Sequence, residues 1–589
     1  MWQRGCAAGL LALALVPAAP ARAADDGDWP MAAHDYASTR YSPLAQLTPA
    51  NVAKLQVAFT FSTGVDRGQE AAPIVVGTTM YVVTPFPNVV YALDLALPGA
   101  PVKWKYEPKP EAAAQGVACC DVVNRGAVVA GDALYFNTLD GDTIALDAAS
   151  GQLRWKTRLG DIQKGETLTM SPLVVKDKVL VGNAGGEFGV RGWIAALDAR
   201  TGKIAWKVYN TGPDASVGIG PQFKPFYPGD RGKDLGVSTW PPEAWKIGGG
   251  TVWGWISYDP KLDLIFHGTG NPGPWNAAQR PGDNKWTAGM FARDPDDGSA
   301  RWFQGFAPHD LFDYDAVNES LLLEFPTRGG GKRPVIVRPE RNGFLYVLDR
   351  RTGQVLSADT FAPVNSILRI DMKTGRPVYN PLKQPKDGRV TRMVCPASPG
   401  AKDWNPSAFS SRTGLVYIPH INLCMDWLPG EVNYVSGTPY VGADARMYAA
   451  PGYSRGELLA WDPVHRRKAW AIAEDLPLWS GALATAGDVV FYGTMDGWFK
   501  AVDARSGKEL WKFQTGSGII GQPVSYRGPD GRQYVAVLSG VGGWAGAIVV
   551  GKLDPRDPTA DGGLANAVQD LPTKTQPGGT LYVFALPKD

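Results

Sequence analysis

Ala145-Leu146-Asp147-Ala148-Ala149-Ser150-Gly151-Gln152-Leu153-Arg154-Trp155 carries the pattern that decides the fold, A-x-D-x-x-x-G-x-x-x-W. It recurs at Ala196/Asp198/Gly202/Trp206, Ala292/Asp294/Gly298/Trp302 and Ala501/Asp503/Gly507/Trp511, with degenerate copies at Asp94 to Trp104, Asp349 to Gly353, Asp371 to Gly375 and Asp462 to Trp470. The chemistry of each copy is local. An Asp carboxylate accepts hydrogen bonds from turn amides, Gly supplies a positive φ, and Trp is large enough to dock between neighbouring sheets. Apolar runs such as Asp132-Ala133-Leu134-Tyr135-Phe136-Asn137 read as the strands that lead into these turns. Repeated short-strand units with one Trp each predict an all-β protein, a β-propeller of four-stranded blades that limits exposed edges by closing a ring.

Length sets the number of blades. Of 589 residues, the first 23 read as a signal peptide, with Arg4 before an apolar run from Ala7 to Val16 and an A-x-A site at Ala21-Arg22-Ala23. That run is too short to span a bilayer, and no later stretch is apolar enough to do so. The remaining residues, 24–589, read as a single eight-bladed domain with about 70 residues per blade, more than four strands need. The surplus is expected as insertions at 210–250, 272–286, 380–404 and 425–456. The closing strand is predicted at Thr580 to Leu586, completed by the N-terminal segment from about Asp28.

Cleavage would remove Arg4 and Arg22 from 59 Lys and Arg, leaving 57 against 57 Asp and Glu. Such balance gives no support for a nucleic acid or an anionic membrane as partner. Four cysteines remain, and export favours disulfides. Cys395 with Cys424 is the ordinary pair. Cys119 and Cys120 are adjacent: they form either a strained bridge between neighbours, two buried thiols, or pairs with the other two.

His309-Asp310-Leu311-Phe312-Asp313-Tyr314-Asp315 holds two carboxylates two residues apart. An extended chain would place both on one side, where they need a cation or a shared proton; a solvated acidic loop is the plain alternative. Asn271 and Glu187 lie on Gly-rich turns after strand-like runs, as oxygen donors or simply as turn residues. Five dispersed histidines and no C-x-x-C disfavour zinc and favour a hard-cation oxygen site. The absence of C-x-x-C-H means that no c-type haem is carried on this chain. Gly248-Gly249-Gly250-Thr251-Val252-Trp253-Gly254-Trp255 lets backbone approach a ligand and offers an indole face, unless Trp253 is an ordinary blade Trp.

Together with Cys119-Cys120-Asp121-Val122-Val123-Asn124-Arg125-Gly126, Gly270-Asn271-Pro272, Pro281-Gly282-Asp283-Asn284-Lys285-Trp286, Arg341-Asn342-Gly343 and Leu538-Ser539-Gly540-Val541-Gly542-Gly543-Trp544, these segments resemble the pyrroloquinoline quinone (PQQ)-dependent alcohol dehydrogenases of the methanol and ethanol dehydrogenase type, over nearly the whole chain after residue 23. The resemblance implies an eight-bladed propeller, a Cys119–Cys120 disulfide over one face of the quinone and Trp253 on the other. It implies cofactor contacts from Glu70, Arg125, Thr169, Gly185, Gly186, Thr251, Asn405 and Trp479. Ala184 stands where relatives often carry Ser, a hydroxyl contact worth on the order of 1 kcal/mol. Metal ligands would be Glu187, Asn271 and Asp313, with Asp313 also the catalytic base and Arg341 beside the reactive carbonyls. Asp315 is the extra carboxylate of the lanthanide-dependent branch, where calcium members carry a small or neutral residue. Three carboxylates beside an anionic quinone suit a trivalent hard cation, although calcium stays open.

The implied activity is periplasmic oxidation of a small primary alcohol to the aldehyde by hydride transfer to PQQ, with a separate cytochrome c as acceptor. Two alternatives are a calcium-dependent relative acting on larger alcohols and a non-enzymatic scaffold propeller. Trp275, Trp427 and Trp544 can line the substrate path or pack in the core, and the sequence leaves a homodimer open.

Overall fold

The structure, a computed structural model, describes residues 27–327, 329–452 and 454–588; the expected signal peptide lies outside them. Among the described residues, seven four-stranded sheets and one five-stranded sheet account for most of the strands. Ile74–Val76, Thr79–Val83, Val90–Asp94 and Val102–Tyr106 form one, each strand antiparallel to the next. Five more sheets repeat that order directly along the chain.

The repeat acts as expected and also carries the link between sheets. Asp147 Oδ1 accepts from the amides of Ala149 at 3.1 Å and Ser150 at 2.9 Å, and Gly151 turns the chain at φ 72°. Trp155, at the end of that unit, then packs on the glycine of the next: a Cβ at Gly202 would come within 2.6 Å of its ring, and its Nε1 donates to Ala199 O at 2.9 Å. Trp206 on Gly298, Trp302 on Gly353 and Trp470 on Gly507 repeat this packing. Each indole thus joins two sheets.

Ring closure differs from the sequence reading in detail. Thr580–Ala585 is the closing strand, but its outer partner is Gln56–Ser62, with Gln533–Ser539 and Val524–Arg527 completing the sheet. The segment from Asp28 goes elsewhere: Trp29 bridges to Val75, and Tyr41–Ser42 lies parallel to the innermost strand Leu483–Thr485 of another sheet. Asp371 to Gly375 is not a blade turn. It joins the hairpin Ile367–Asp371 and Arg376–Tyr379, which stands apart as a two-stranded sheet; the Asp-to-Gly spacing specifies only the turn, and Tyr379 sits where a docking Trp would be.

The expected insertions are largely built structures. Thr391–Val394, Leu423–Pro429 and Ala443–Ala449 form a three-stranded sheet tied by the Cys395–Cys424 disulfide. Another insertion was not foreseen, between Ser539 and Thr580, and holds the helix Gly543–Val550. Among the described residues no helix is long and apolar enough to cross a membrane.

Candidate active site

A cavity of about 410 Å³ draws its walls from residues as far apart in sequence as Glu70 and Gly562, so it exists only because the ring closes. Glu70, Cys119, Cys120, Arg125, Thr169, Gly185, Glu187, Trp253, Asp313, Asp315, Arg341 and Trp479 all line it. The other four predicted residues stand behind the wall. Thr251 and Asn271 back Gly186, where a Cβ would sit 3.5 Å from Thr251 Oγ1 and 3.4 Å from Asn271 Oδ1. Asn405 accepts from the Asp403 amide at 3.0 Å and donates to Pro419 O and Leu478 O, so it positions Asp403.

The Asp313 and Asp315 carboxylates do converge, but not by strand alternation. Asp313 has φ 65°, in the left-handed region, and Asp310 shapes the turn by accepting from the Phe312 and Tyr314 amides at 3.3 and 3.1 Å. A strand would have presented both carboxylates from one edge; the turn instead wraps them around Arg341. That guanidinium reaches Asp313 Oδ2 at 3.6 Å, Asp315 Oδ2 at 3.1 Å and Asp403 Oδ1 at 2.6 Å, and also donates to the carbonyls of Asp313 at 3.0 Å and Ser398 at 3.2 Å. Gly400, at φ 78°, makes room: a Cβ there would lie 2.4 Å from Arg341 Cα. Burial alone would weaken the arginine's hold on its proton, but Asp403, Asp315 and Asp313 keep it charged beyond its ordinary range.

Carboxylates outnumber cations here. Burial raises the pKa of Asp313 well above the usual carboxylate value, and the charges of Asp315 and Glu187 push it further against the pull of Arg341. Asp315 and Glu187 are also raised, first by burial. Ser398 Oγ donates to Asp313 Oδ2 at 2.8 Å, whereas Asp313 Oδ1 is buried without a partner. Among the described residues no three His, Cys, Asp or Glu side chains form a closed metal cage by themselves. Buried, mutually repelling hard oxygens with an orphaned Oδ1 nonetheless fit a hard cation entering this ring.

The cavity wall around Arg125 suits a flat anion. Arg125 pairs with Glu70 Oε2 at 3.0 Å and donates to Thr169 Oγ1 at 3.0 Å. Its guanidinium carbon lies 4.8 Å from the Trp253 ring and 4.7 Å from that of Trp404, while Arg341 sits 5.6 Å from the same Trp253 ring. Two guanidinium groups close to one indole favour a planar, negatively charged ring beside it. Burial pushes Glu70 up to about 8 against the pull of Arg125. Cys119 and Cys120 are not bonded to each other in this structure, but their Sγ atoms approach to 2.6 Å, and both line the cavity.

The three tryptophans of unassigned role now separate. Trp275 and Trp544 line the cavity; Trp427 is fully buried behind it, stacked on Trp275 at 5.5 Å. Sequence reasoning missed Asp403, Trp404, Ser398 and Asp561. The last lies in the insertion between Ser539 and Thr580, where Trp544 Nε1 donates to its carbonyl at 2.9 Å. Its signal was present: Trp544-Ala545-Gly546-Ala547-Ile548-Val549-Val550 is apolar on every face, as a buried helix is.

A propeller whose cavity joins a cationic, indole-lined wall to a surplus of buried carboxylate is the framework of an enzyme that holds a flat anionic cofactor beside a hard cation. Residues 29–367 and 455–535 match the family described as PQQ: Glucose/ethanol/alcohol dehydrogenase, beta-propeller domain. A lanthanide-dependent methanol dehydrogenase of Methylacidiphilum fumariolicum (strain SolV) is 50% identical, over 95% of this chain and 93% of that protein. The solved structure of a europium-containing methanol dehydrogenase superposes with TM-score 0.94 at 50% identity, over 95% of this chain and 98% of that one. Methanol dehydrogenase (cytochrome c) subunit 1 of Methylorubrum extorquens (strain ATCC 14718 / DSM 1338 / JCM 2805 / NCIMB 9133 / AM1) is 42% identical, over 98% of this chain and 95% of that protein. The chain belongs to the PQQ-dependent alcohol dehydrogenase family. It is an enzyme, and the scaffold alternative falls away.

Proposed function

We propose that this protein oxidises methanol or a similarly small primary alcohol to the aldehyde in the periplasm, using PQQ and a lanthanide(III) ion, after removal of residues 1–23. The observation that carries this reading is the charge around Arg341. Asp403, at 2.6 Å, already matches the guanidinium, so Glu187, Asp313 and Asp315 remain as three buried carboxylates with no cation of their own. Three negative charges are balanced by one trivalent ion; a divalent ion would leave one unmatched in a dry site. Two relatives described as containing or depending on a lanthanide support the same choice. Calcium is the second reading, supported by its ability to accept the same hard oxygen donors.

Glu187, Asn271, Asp313 and Asp315 would hold the ion, and Arg125, Glu70, Thr169, Trp253 and Trp479 the cofactor, with Gly185, Gly186, Thr251 and Asn405 shaping the floor. PQQ supplies a carbonyl carbon able to accept hydride, and the ion supplies Lewis acidity toward it. The Asp313 carboxylate would receive the hydroxyl proton of the alcohol, oriented by the Ser398 hydroxyl that donates to its Oδ2. Arg341, fixed by three carboxylates and two carbonyls, stabilises negative charge growing on the cofactor side. Trp275, Trp479 and Trp544 exclude water and restrict the alcohol to a small one.

The further parts of the reading are an eight-bladed ring formed by residues 24–589 as one domain, a Cys119–Cys120 disulfide against the cofactor, a separate cytochrome c taking electrons singly, and a homodimeric assembly. The test is a steady-state panel of methanol, ethanol and longer alcohols on PQQ-loaded protein carrying lanthanum or calcium. Turnover with lanthanum and little with calcium is expected. Equal rates with both ions would overturn the metal assignment, and a bare-protein absorbance spectrum after PQQ loading would overturn the cofactor.

A further inference from the structure

Five exposed apolar side chains fall within residues 368–393, and none of them lines the cavity. Leu368, Met372, Leu382, Val390 and Met393 are five of the fourteen large exposed apolar residues among those described, with Leu382 85% exposed. Hydrogen bonds join their segments into one surface. Lys383 Nζ donates to Arg392 O at 2.7 Å, Asn365 Nδ2 to Met393 O at 2.8 Å, and the Asn380 amide to Ser366 O at 2.9 Å.

The charge of this face is unlike the rest of the chain. Between Ser366 and Val394 there are seven basic and two acidic residues, in a protein whose 59 Lys and Arg are nearly matched by 57 Asp and Glu. Arg376 and Arg392 pair with Asp283 and Asp426, leaving Arg369, Lys373, Lys383, Lys386 and Arg389 among the apolar side chains. Exposed apolar side chains in a segment with five unmatched basic residues against Asp371 and Asp387 favour a partner of opposite sign. A second copy of this chain would bring the same positive charge and be repelled.

The face is also coupled to the cavity through the three-stranded sheet. Ala445 lines the cavity, pairs with Trp427, and Trp427 pairs in turn with Thr391 on the strand that carries Arg392 and Met393. Two strand spacings put that edge about 10 Å from the cavity wall. Trp275, on the wall, stacks on the intervening Trp427. Electron transfer weakens steeply with distance, so a carrier bound here would be close to its donor.

We propose that the face formed by Leu368, Met372, Leu382, Val390 and Met393 with their surrounding Lys and Arg residues docks an acidic, one-electron c-type cytochrome. This rests on the quinoprotein reading of the cavity. Each docking removes one electron and reduces one ferric haem to ferrous, so two encounters and the release of two protons complete the oxidation of one alcohol.

The experiment uses the PQQ- and lanthanum-loaded enzyme, its Lys386→Glu/Arg389→Glu double variant and Leu382→Ser. Each is assayed with a small phenazine dye and with an acidic c-type cytochrome at several ionic strengths. Unchanged dye-linked turnover, with a KM for the cytochrome raised about tenfold or more and a weakened salt dependence in the double variant, is expected. Leu382→Ser should raise that KM without altering its salt dependence. Cytochrome kinetics unaltered in both variants would overturn the docking face, as would sedimentation showing a wild-type dimer that the charge reversal dissolves. Absence of dye-linked turnover in the wild type would instead overturn the enzymatic reading beneath it.

Discussion

Arg125 and Arg341 face the same cavity, both buried, and their surroundings treat them in opposite ways. Arg125 has one carboxylate partner, Glu70 at 3.0 Å, a threonine hydroxyl and two indole rings. Arg341 has Asp313, Asp315 and Asp403 within 3.6 Å, with Glu187 adding to the field. With a single, proton-retaining carboxyl beside it, Arg125 keeps its charge for a ligand and can turn its remaining donor, the partnerless Nε, toward an anion. An arginine with surplus carboxylates is incomplete: the acids must keep protons or gain a cation. The surroundings of Arg125 therefore suit an anionic ligand, and those of Arg341 suit a cation.

The largest effect should come from the outnumbered end. Asp313→Asn should lower kcat by about a thousandfold, within the usual range for a lost general base, while PQQ absorbance is retained. Turnover within tenfold of wild type would show that the reacting proton goes elsewhere. Asp315→Ala should weaken binding of a luminescent lanthanide such as terbium by about a hundredfold or more, read by direct titration. Unchanged terbium affinity would mean that the surplus charge has no part in ion choice.

Proton release sharpens the comparison. Without a cation Asp315 is pushed up to about 7, first by burial, so it keeps a proton near pH 6 that an incoming ion must displace, and burial raises Asp313 and Glu187 in the same direction. Terbium binding at that pH should release roughly one to two protons, measured by calorimetry in buffers of different ionisation enthalpy. No release would show that these carboxylates are already ionised.

The smallest effect concerns the balanced end. Glu70 rises from 4.5 to about 8, so the folded protein keeps a proton that the unfolded chain has already lost. Stability of the cofactor-free protein should then decrease as pH climbs from about 4.5 towards 8. Glu70→Gln should remove that share, on the order of a few kcal/mol, and flatten the difference between thermal scans at pH 5 and pH 8. An equal pH dependence in variant and wild type would show that Arg125 keeps Glu70 fully ionised.

How much was readable depends on how far each feature reaches along the chain. Asp147, Gly151 and Trp155 form one turn-and-dock unit within nine residues, and Trp155 meets the equivalent Gly202 because the units repeat. The same local pattern misled at Asp371, where the turn formed without a blade. The cavity residues carried by family resemblance all came to its wall or directly behind it. Asp403 and Ser398 escaped notice because each is a single polar residue in a loop, 62 and 57 positions from Arg341, with no periodicity to mark it. The extended reading of Asp313 and Asp315 failed for a related reason: the left-handed φ of Asp313 is imposed by Asp310 and its surroundings, and residue spacing does not encode it.

By itself, then, the sequence determined the blade, through short-range turn chemistry and the bulk of Trp, and it placed Asp315 beside Asp313 as an additional hard oxygen. Tertiary structure alone decided that these two carboxylates share Arg341 with Asp403, and that Trp275 and Trp544 face the cavity while Trp427 lies behind. Charge surplus and cavity shape are sums over residues hundreds of positions apart. Only closure of the ring brings them within Coulombic and packing range.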